Sequence, residues 1–93
     1  MIASSAEGLT IQGPLTVETA KATLEAGIDL LDGKENFTVD LTDVHDVDSS
    51  ALTVMLELMR QAQKQNKKMR FVNIPANLSS LAVLYNITDL LPN

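Results

Sequence analysis

Between residues 37 and 62 the hydropathy period changes from two to between three and four, and this change leaves the chain few ways to fold. Phe37, Val39 and Leu41 alternate with Thr38, Asp40 and Thr42, as on a strand with one apolar face. Val44 and Val47 then carry the apolar signal into what reads as a loop crowded with acids. A second helix is predicted from Ser49 or Ser50 to about Asn66, with Ala51, Leu52, Val54, Met55, Leu58, Met59 and Ala62 recurring at helical spacing. The same order occurs on either side. Leu9 and Ile11 read as a strand closed by Gly13-Pro14, followed by a helix from Val17 through Ala20, Leu24, Ile28 and Leu31, with Thr16 as N-cap and Gly33 as its stop. Met69 to Ile74 reads as a strand ended by Pro75, and Asn77 as the cap of a last helix through Leu78, Leu81, Ala82 and Tyr85. A further strand is placed within Ile2 to Ala6.

Strands that alternate with helices imply crossover connections and a largely parallel sheet. The predicted class is α/β, with a mixed, mostly parallel sheet of about four strands and three helices. At 93 residues the chain is expected to form one domain over 1–93. Its 45% hydrophobic and 20% charged residues are globular, and its apolar runs fall far short of the ~20 residues of a spanning helix. Met1 to Gly8 lack the basic start and apolar stretch of a secretory signal, so the chain is expected to stay in the compartment where it is made. The absence of cysteine excludes disulfides, thiolate metal sites and thiol nucleophiles together.

Charge divides along the chain. Residues 1–59 carry a net −9, whereas Arg60, Lys64, Lys67, Lys68 and Arg70 form the basic group. Nucleic-acid binding calls for a wider basic face and aromatic platforms, and the aromatics here are Phe37, Phe71 and Tyr85. The basic group reads instead as a solvated helix end, where cations suit the negative pole of the macrodipole.

Chemistry concentrates in Asp43-Val44-His45-Asp46-Val47-Asp48-Ser49-Ser50-Ala51-Leu52. Unpaired backbone N–H groups at a helix start stabilise anions, so a hydroxyl there can accept a phosphoryl group or meet a partner's polar group. The competing reading is simple N-capping by the Asp-Ser-Ser run. A Ser–His–Asp nucleophile is disfavoured: the G-x-S-x-G turn is missing, and His45 sits four or five residues before the serines in the same loop. An EF-hand starting at Asp43 would have His45 and Val47 at its third and fifth positions and lacks the glycine. Neither a metal site nor a P-loop is indicated, and no cofactor is expected.

At 100° per residue, the apolar positions of the second helix cover an arc of about 200°, roughly twice what a surface helix needs. One flank, either Val54 and Leu58 or Leu56, is therefore a candidate to face a partner, unless neighbouring elements cover both. Met55 and Met59 suit either arrangement.

Taken together, Phe37-Thr38-Val39-Asp40-Leu41-Thr42-Asp43-Val44, Val47-Asp48-Ser49-Ser50-Ala51-Leu52, the strand Met69 to Ile74 and the segment Leu78 to Leu91 resemble a STAS domain, the module of sulfate-transporter tails and anti-anti-sigma factors. Ala51 stands where many members have glycine, and both residues fit a helix first turn. The ending Leu81-Ala82-Val83-Leu84-Tyr85-Asn86-Ile87 with Leu91-Pro92 is similar to the small STAS subunit of Mla-type phospholipid-transport ABC complexes.

That resemblance implies a non-catalytic cytoplasmic subunit at the inner face of the inner membrane. It would bind and regulate the ATPase of a transporter that maintains outer-membrane lipid asymmetry, the ATPase itself being in complex with a permease. The implied contact is Asp48, Ser49, Ser50, Leu52, Val54 and Leu58. By resemblance Ser49 matches the transporter-branch contact and Ser50 the serine phosphorylated in anti-anti-sigma factors, so both are phosphorylation candidates. The alternative is an anti-anti-sigma factor that binds a kinase-like anti-sigma partner until Ser50 is phosphorylated. Neither nucleic acid nor direct membrane insertion is expected, and a weak homodimer through helix two is conceivable from the wide apolar arc.

Overall fold

The computed structural model describes residues 2–4, 8–31 and 36–85. The order is β1 (Ile2–Ser4), β2 (Gly8–Leu15), α1 (Ala20–Leu31), β3 (Asn36–Val47), α2 (Ser49–Lys64), β4 (Lys68–Val72) and α3 (Ala76–Leu84). The strands form one sheet in the order β1-β2-β3-β4. β2, β3 and β4 are parallel, each pair joined through a helix, and β1 adds an antiparallel edge. This is the mixed, mostly parallel sheet with three helices that the periodicities imply.

Leu9, Val39 and Phe71 lie in register across the three parallel strands and are buried with Ile11, Leu15, Phe37 and Leu41. The neighbouring row of Gly8, Thr38 and Arg70 falls on the other face of the pleat. On α1 the buried stripe is Thr23, Gly27 and Leu31; on α2 it is Ala51, Leu52, Val54, Met55, Leu58 and Ala62. Helix α2 has α1, β4 and α3 as neighbours, which accounts for its wide apolar arc.

Two segments read from sequence as loops are strand. β3 continues through Val44 to Val47 because its register against β2 slips twice: Thr10 pairs Asp40 but Gln12 pairs Asp43, and Gly13 pairs Val44 but Leu15 pairs Val47. Each slip places one extra residue on β3, as a bulge does. The inward set therefore jumps from Leu41 to Val44, with Thr42 and Asp43 both exposed, and simple alternation ends there. The first slip is held by Asp40, whose Oδ1 accepts from Thr42 N at 2.9 Å, Thr42 Oγ1 at 2.5 Å and Asn73 Nδ2 at 3.1 Å. Gly13-Pro14 likewise does not close β2. Among the described residues β1 pairs β2 only from Leu9 to Ile11, so Pro14 stands where its missing N–H costs no ladder bond on that side.

Helix starts also differ from expectation. Val17 lies in a turn, and α1 begins at Ala20. Thr16 contributes its carbonyl, which accepts from Thr19 N and Ala20 N at 3.1 and 2.9 Å, while Thr19 Oγ1 accepts from Thr16 N at 3.1 Å. The predicted stop at Gly33 and the Ile87 and Leu91-Pro92 positions lie outside the described residues. Pro75 caps α3, and Asn77 sits inside that helix with its Nδ2 donating to His45 O at 3.0 Å. At the far end of α2, Lys67 N donates to Ala62 O at 2.9 Å. Lys67 Nζ donates to Leu31 O at the end of α1, where a cation suits the helix pole.

Two glycines give a stability test of this arrangement. A Cβ on Gly8 would stand 2.1 Å from Thr38 O and 2.6 Å from Thr38 N, so Gly8→Ala must push β2 off β3. It should cost about 3 kcal/mol. Gly13 has φ +83° with open space around it, so Gly13→Ala carries only left-handed backbone strain, about 1–2 kcal/mol. Urea unfolding of both variants reads the difference, and Gly13→Ala should be the milder.

Candidate functional site

The ends of β2 and β3 meet where Leu15 pairs Val47, and the helices that follow these strands both start nearby. Asp48 joins the two starts. Its backbone is extended, with φ −133° and ψ −171°, as an N-cap residue requires. Oδ1 accepts from Ser50 N at 2.8 Å, and Oδ2 accepts from Val17 N at 3.0 Å in the turn before α1. The Val17 N–H first, and then the Ser50 N–H, hold this carboxyl below its ordinary range. Neither serine caps α2. Ser49 is exposed in the first helical position and Ser50 half-buried in the second.

Past the cap, Ser49, Leu52, Thr53, Leu56 and Tyr85 line a shallow depression of about 290 Å³. Its apolar walls come from the exposed side of α2 and the end of α3. Tyr85 is 54% exposed, and Val83 and Leu84 beside it are 67% and 75% exposed. Helical spacing from Leu78 puts Tyr85 in the apolar set of α3. Only Leu78 and Ala82 of that set are buried, and Leu81 is half-buried.

The sequence-predicted contact residues divide accordingly. Asp48, Ser49 and Ser50 gather at the α2 start, and the buried Leu52 forms the floor of the depression. Val54 and Leu58 do not join them. They are 1% and 0% exposed, because this flank of α2 is covered by the rest of the core. Buried in the core, they offer no surface to a partner, and the half-buried Leu56 marks the accessible flank. Thr53 and Tyr85 also line the depression and are absent from the contact set read from sequence. Thr53 is a polar residue on the side of α2 that Leu56 shares, and that position was the available signal.

The geometry opposes nucleophilic chemistry by Ser49 or Ser50. Both oxygens of Asp48 already accept backbone N–H bonds, so this carboxylate is not placed as a base. His45 projects from β3 rather than a loop; its Nδ1 is 3.7 Å from Asp46 Oδ2, with the two side chains 69% and 78% exposed. The basic group is partly committed elsewhere. Arg60 donates to Glu57 through Nε at 3.0 Å and Nη2 at 2.5 Å. This guanidinium, with Gln61 after it, lowers the Glu57 carboxyl to about 2. Lys67 and Lys68 border a second hollow of about 530 Å³ with Asn36, Gln65 and Asn66 at the opposite end of α2.

Asp48→Asn tests the double bridge. A carboxyl whose folded pKa is depressed contributes stability above its unfolded value, and this contribution is lost as pH falls through the folded value. The variant should therefore melt below the parent at pH ~7, and the difference should narrow only once pH falls below the ordinary carboxylate range, because the folded carboxyl holds its charge to lower pH than a free one. Paired thermal melts across that range measure it.

Comparison with known proteins bears on the whole chain. A family model described as Mlab, STAS domain matches residues 2–92. The Intermembrane phospholipid transport system binding protein MlaB of Haemophilus influenzae is 33% identical over 54 residues, 58% of this chain. The match spans 51% of that relative's length. Among solved structures, a candidate anti-sigma factor antagonist from Thermotoga maritima superposes with a TM-score of 0.79 at 17% identity, over 99% of this chain and 82% of the other. The anti-sigma factor antagonist SpoIIAA in its unphosphorylated form gives 0.75 at 9% identity, over 98% and 84%. A sulfate transporter family protein from Wolinella succinogenes gives 0.73 at 15%, over 96% and 75%. At these identities the superpositions speak to fold, and they agree with the family match: the chain belongs to the MlaB-type STAS domain family.

Proposed function

We propose that this chain is a non-catalytic STAS subunit that docks on the ATPase of an Mla-type phospholipid-transport ABC complex through the start of α2, and so regulates it at the inner face of the inner membrane. The observation that carries this reading is the division of labour at residues 48–56. Asp48 is consumed by two backbone N–H groups, which leaves the exposed Ser49 hydroxyl beside a shallow apolar depression floored by Leu52 and walled by Leu56 and Tyr85. A small apolar recess with a polar lip suits a protein contact. The relationship to a protein named for intermembrane phospholipid transport supplies the system. No helix among the described residues is long and apolar enough to cross a membrane, so membrane association in this reading runs through the partner.

Co-purification with the cognate ATPase at low salt is the direct test, and failure of the pair to associate removes the proposal. Within it, Ser49→Glu should lower association at least ~10-fold by placing an unpaired charge in the contact. The fold should survive, since an acid is tolerated in a helix first turn. Leu56→Asp should act likewise. Ser50→Ala should retain binding and cost at most about 0.5 kcal/mol, because the cap is Asp48. Pull-down together with melting temperature separates loss of contact from loss of fold.

A second reading, an anti-anti-sigma factor switched by serine phosphorylation, is favoured by one feature: an exposed hydroxyl, Ser49, in the first turn of a helix. The helix pole tolerates a phosphate there in the free domain, while a charge of about −2 opposes a close contact. Ser50 is half-buried, and its N–H bonds to the Asp48 carboxylate, so the geometry supports Ser49 ahead of Ser50. Incubation with a kinase-like partner and ATP should yield modified Ser49 by mass spectrometry, and an unmodified chain sinks this reading.

A further inference from the structure

The α2 start, where the depression begins at Ser49, has an acidic rim in the neighbouring chain segments. Val17, tied to Asp48 Oδ2, is followed by Glu18, and Asp46 lies two residues before Asp48; both acids are exposed. Asp43 is exposed further back on β3. Lys21, in the first turn of α1, is the cation of this end among the described residues. Exposed cations lie towards the other end of α2: Lys64 in its last turn and Lys68 at the start of β4, Lys64 being about 12 Å from Leu56 and about 22 Å from Ser49 along the helix at 1.5 Å per residue. Exposed acids thus outnumber cations in the chain segments around the α2 start, and long-range steering there favours a positive occupant.

We infer that the occupant of the Leu52–Leu56–Tyr85 depression is a Lys/Arg-bearing segment of the protein partner, with an apolar side chain seated in the depression and its cations facing Glu18 and Asp46. This rests on the docking reading above and names the chemistry of that partner surface. The rim opposes two other occupants. An anionic lipid surface carries the same sign of charge as the rim. A second copy meeting the same patch about a two-fold axis would bring Glu18 and Asp46 against their own equivalents.

The test uses the full chain and the purified ATPase–permease complex, with association rates measured at about 50 mM and about 500 mM NaCl, where the Debye length shortens severalfold. The rate should fall at least ~10-fold at the higher salt. Glu18→Lys with Asp46→Lys should lower it ~10-fold at low salt without lowering the melting temperature, whereas Lys64→Glu with Lys68→Glu should leave it within about twofold. If Leu56→Asp abolishes binding while salt and the acid reversals have no effect, the docking reading stands and the basic occupant is overturned. If Leu56→Asp binds like the parent, the depression is not the contact and both fall. Binding to phosphatidylcholine–phosphatidylglycerol vesicles that Leu56→Asp removes overturns the inference in favour of a lipid surface. A sedimenting dimer lost in Leu56→Asp overturns it in favour of a second copy.

Discussion

One carboxylate ties together the end of the domain where α1 and α2 start. Asp48 follows β3, caps α2 through Ser50 N and fastens the turn before α1 through Val17 N. Parallel strands connected through helices bring successive helix starts to the same end of a sheet, and each start leaves N–H groups that its own helix cannot satisfy. A single acid with an oxygen for each of two segments meets part of that demand twice. Because neither Ser49 nor Ser50 is needed as the cap, the hydroxyl of the first helical position is left to solvent.

A second acid performs the matching service inside the sheet. Asp40 Oδ1 gathers the backbone and hydroxyl of Thr42 and the amide of Asn73, which fixes the first extra residue of β3 and joins it to the turn after β4. Thr42 first, and then Asn73, draw its carboxyl below the ordinary range. Asn73 itself has φ 56°, a left-handed conformation that asparagine tolerates better than most residues. The bulges lengthen β3 to twelve residues and carry it to Asp48, so the position of the α2 start depends on how β3 is irregular as well as on how it is paired.

The sequence was therefore informative about elements and less so about their ends. Phe37–Leu41 and the α2 repeat read correctly because their periods are undisturbed. Val44 and Val47 did not, because an extra residue shifts the inward phase by one, and period-two reading has no term for that. Asn77 and Thr16 have the composition of caps, yet their side chains are not the caps: Asn77 serves the His45 carbonyl across the fold, a tertiary bond with no local signature. On α2 the width of the apolar arc was legible but its allocation was not. Val54 and Leu58 went to the core and Leu56 to a half-buried place beside the depression, a choice set by which neighbours pack on each flank.

The division of charge along the chain can be sorted by the same distinction between bound and free groups. Some of it serves the fold, since Asp48 answers the N–H groups of a helix start and Lys67 answers the Leu31 carbonyl at a helix end, each at the pole that favours its sign. The Asp46 carboxylate is 78% exposed and meets His45 Nδ1 only at 3.7 Å, so folding draws little from it. At that exposure water screens a pairwise contact. The summed potential of neighbouring acids still reaches about a Debye length into solution. Charge that stabilises little and is concentrated at the end where Ser49 and Tyr85 are exposed acts on whatever approaches that end.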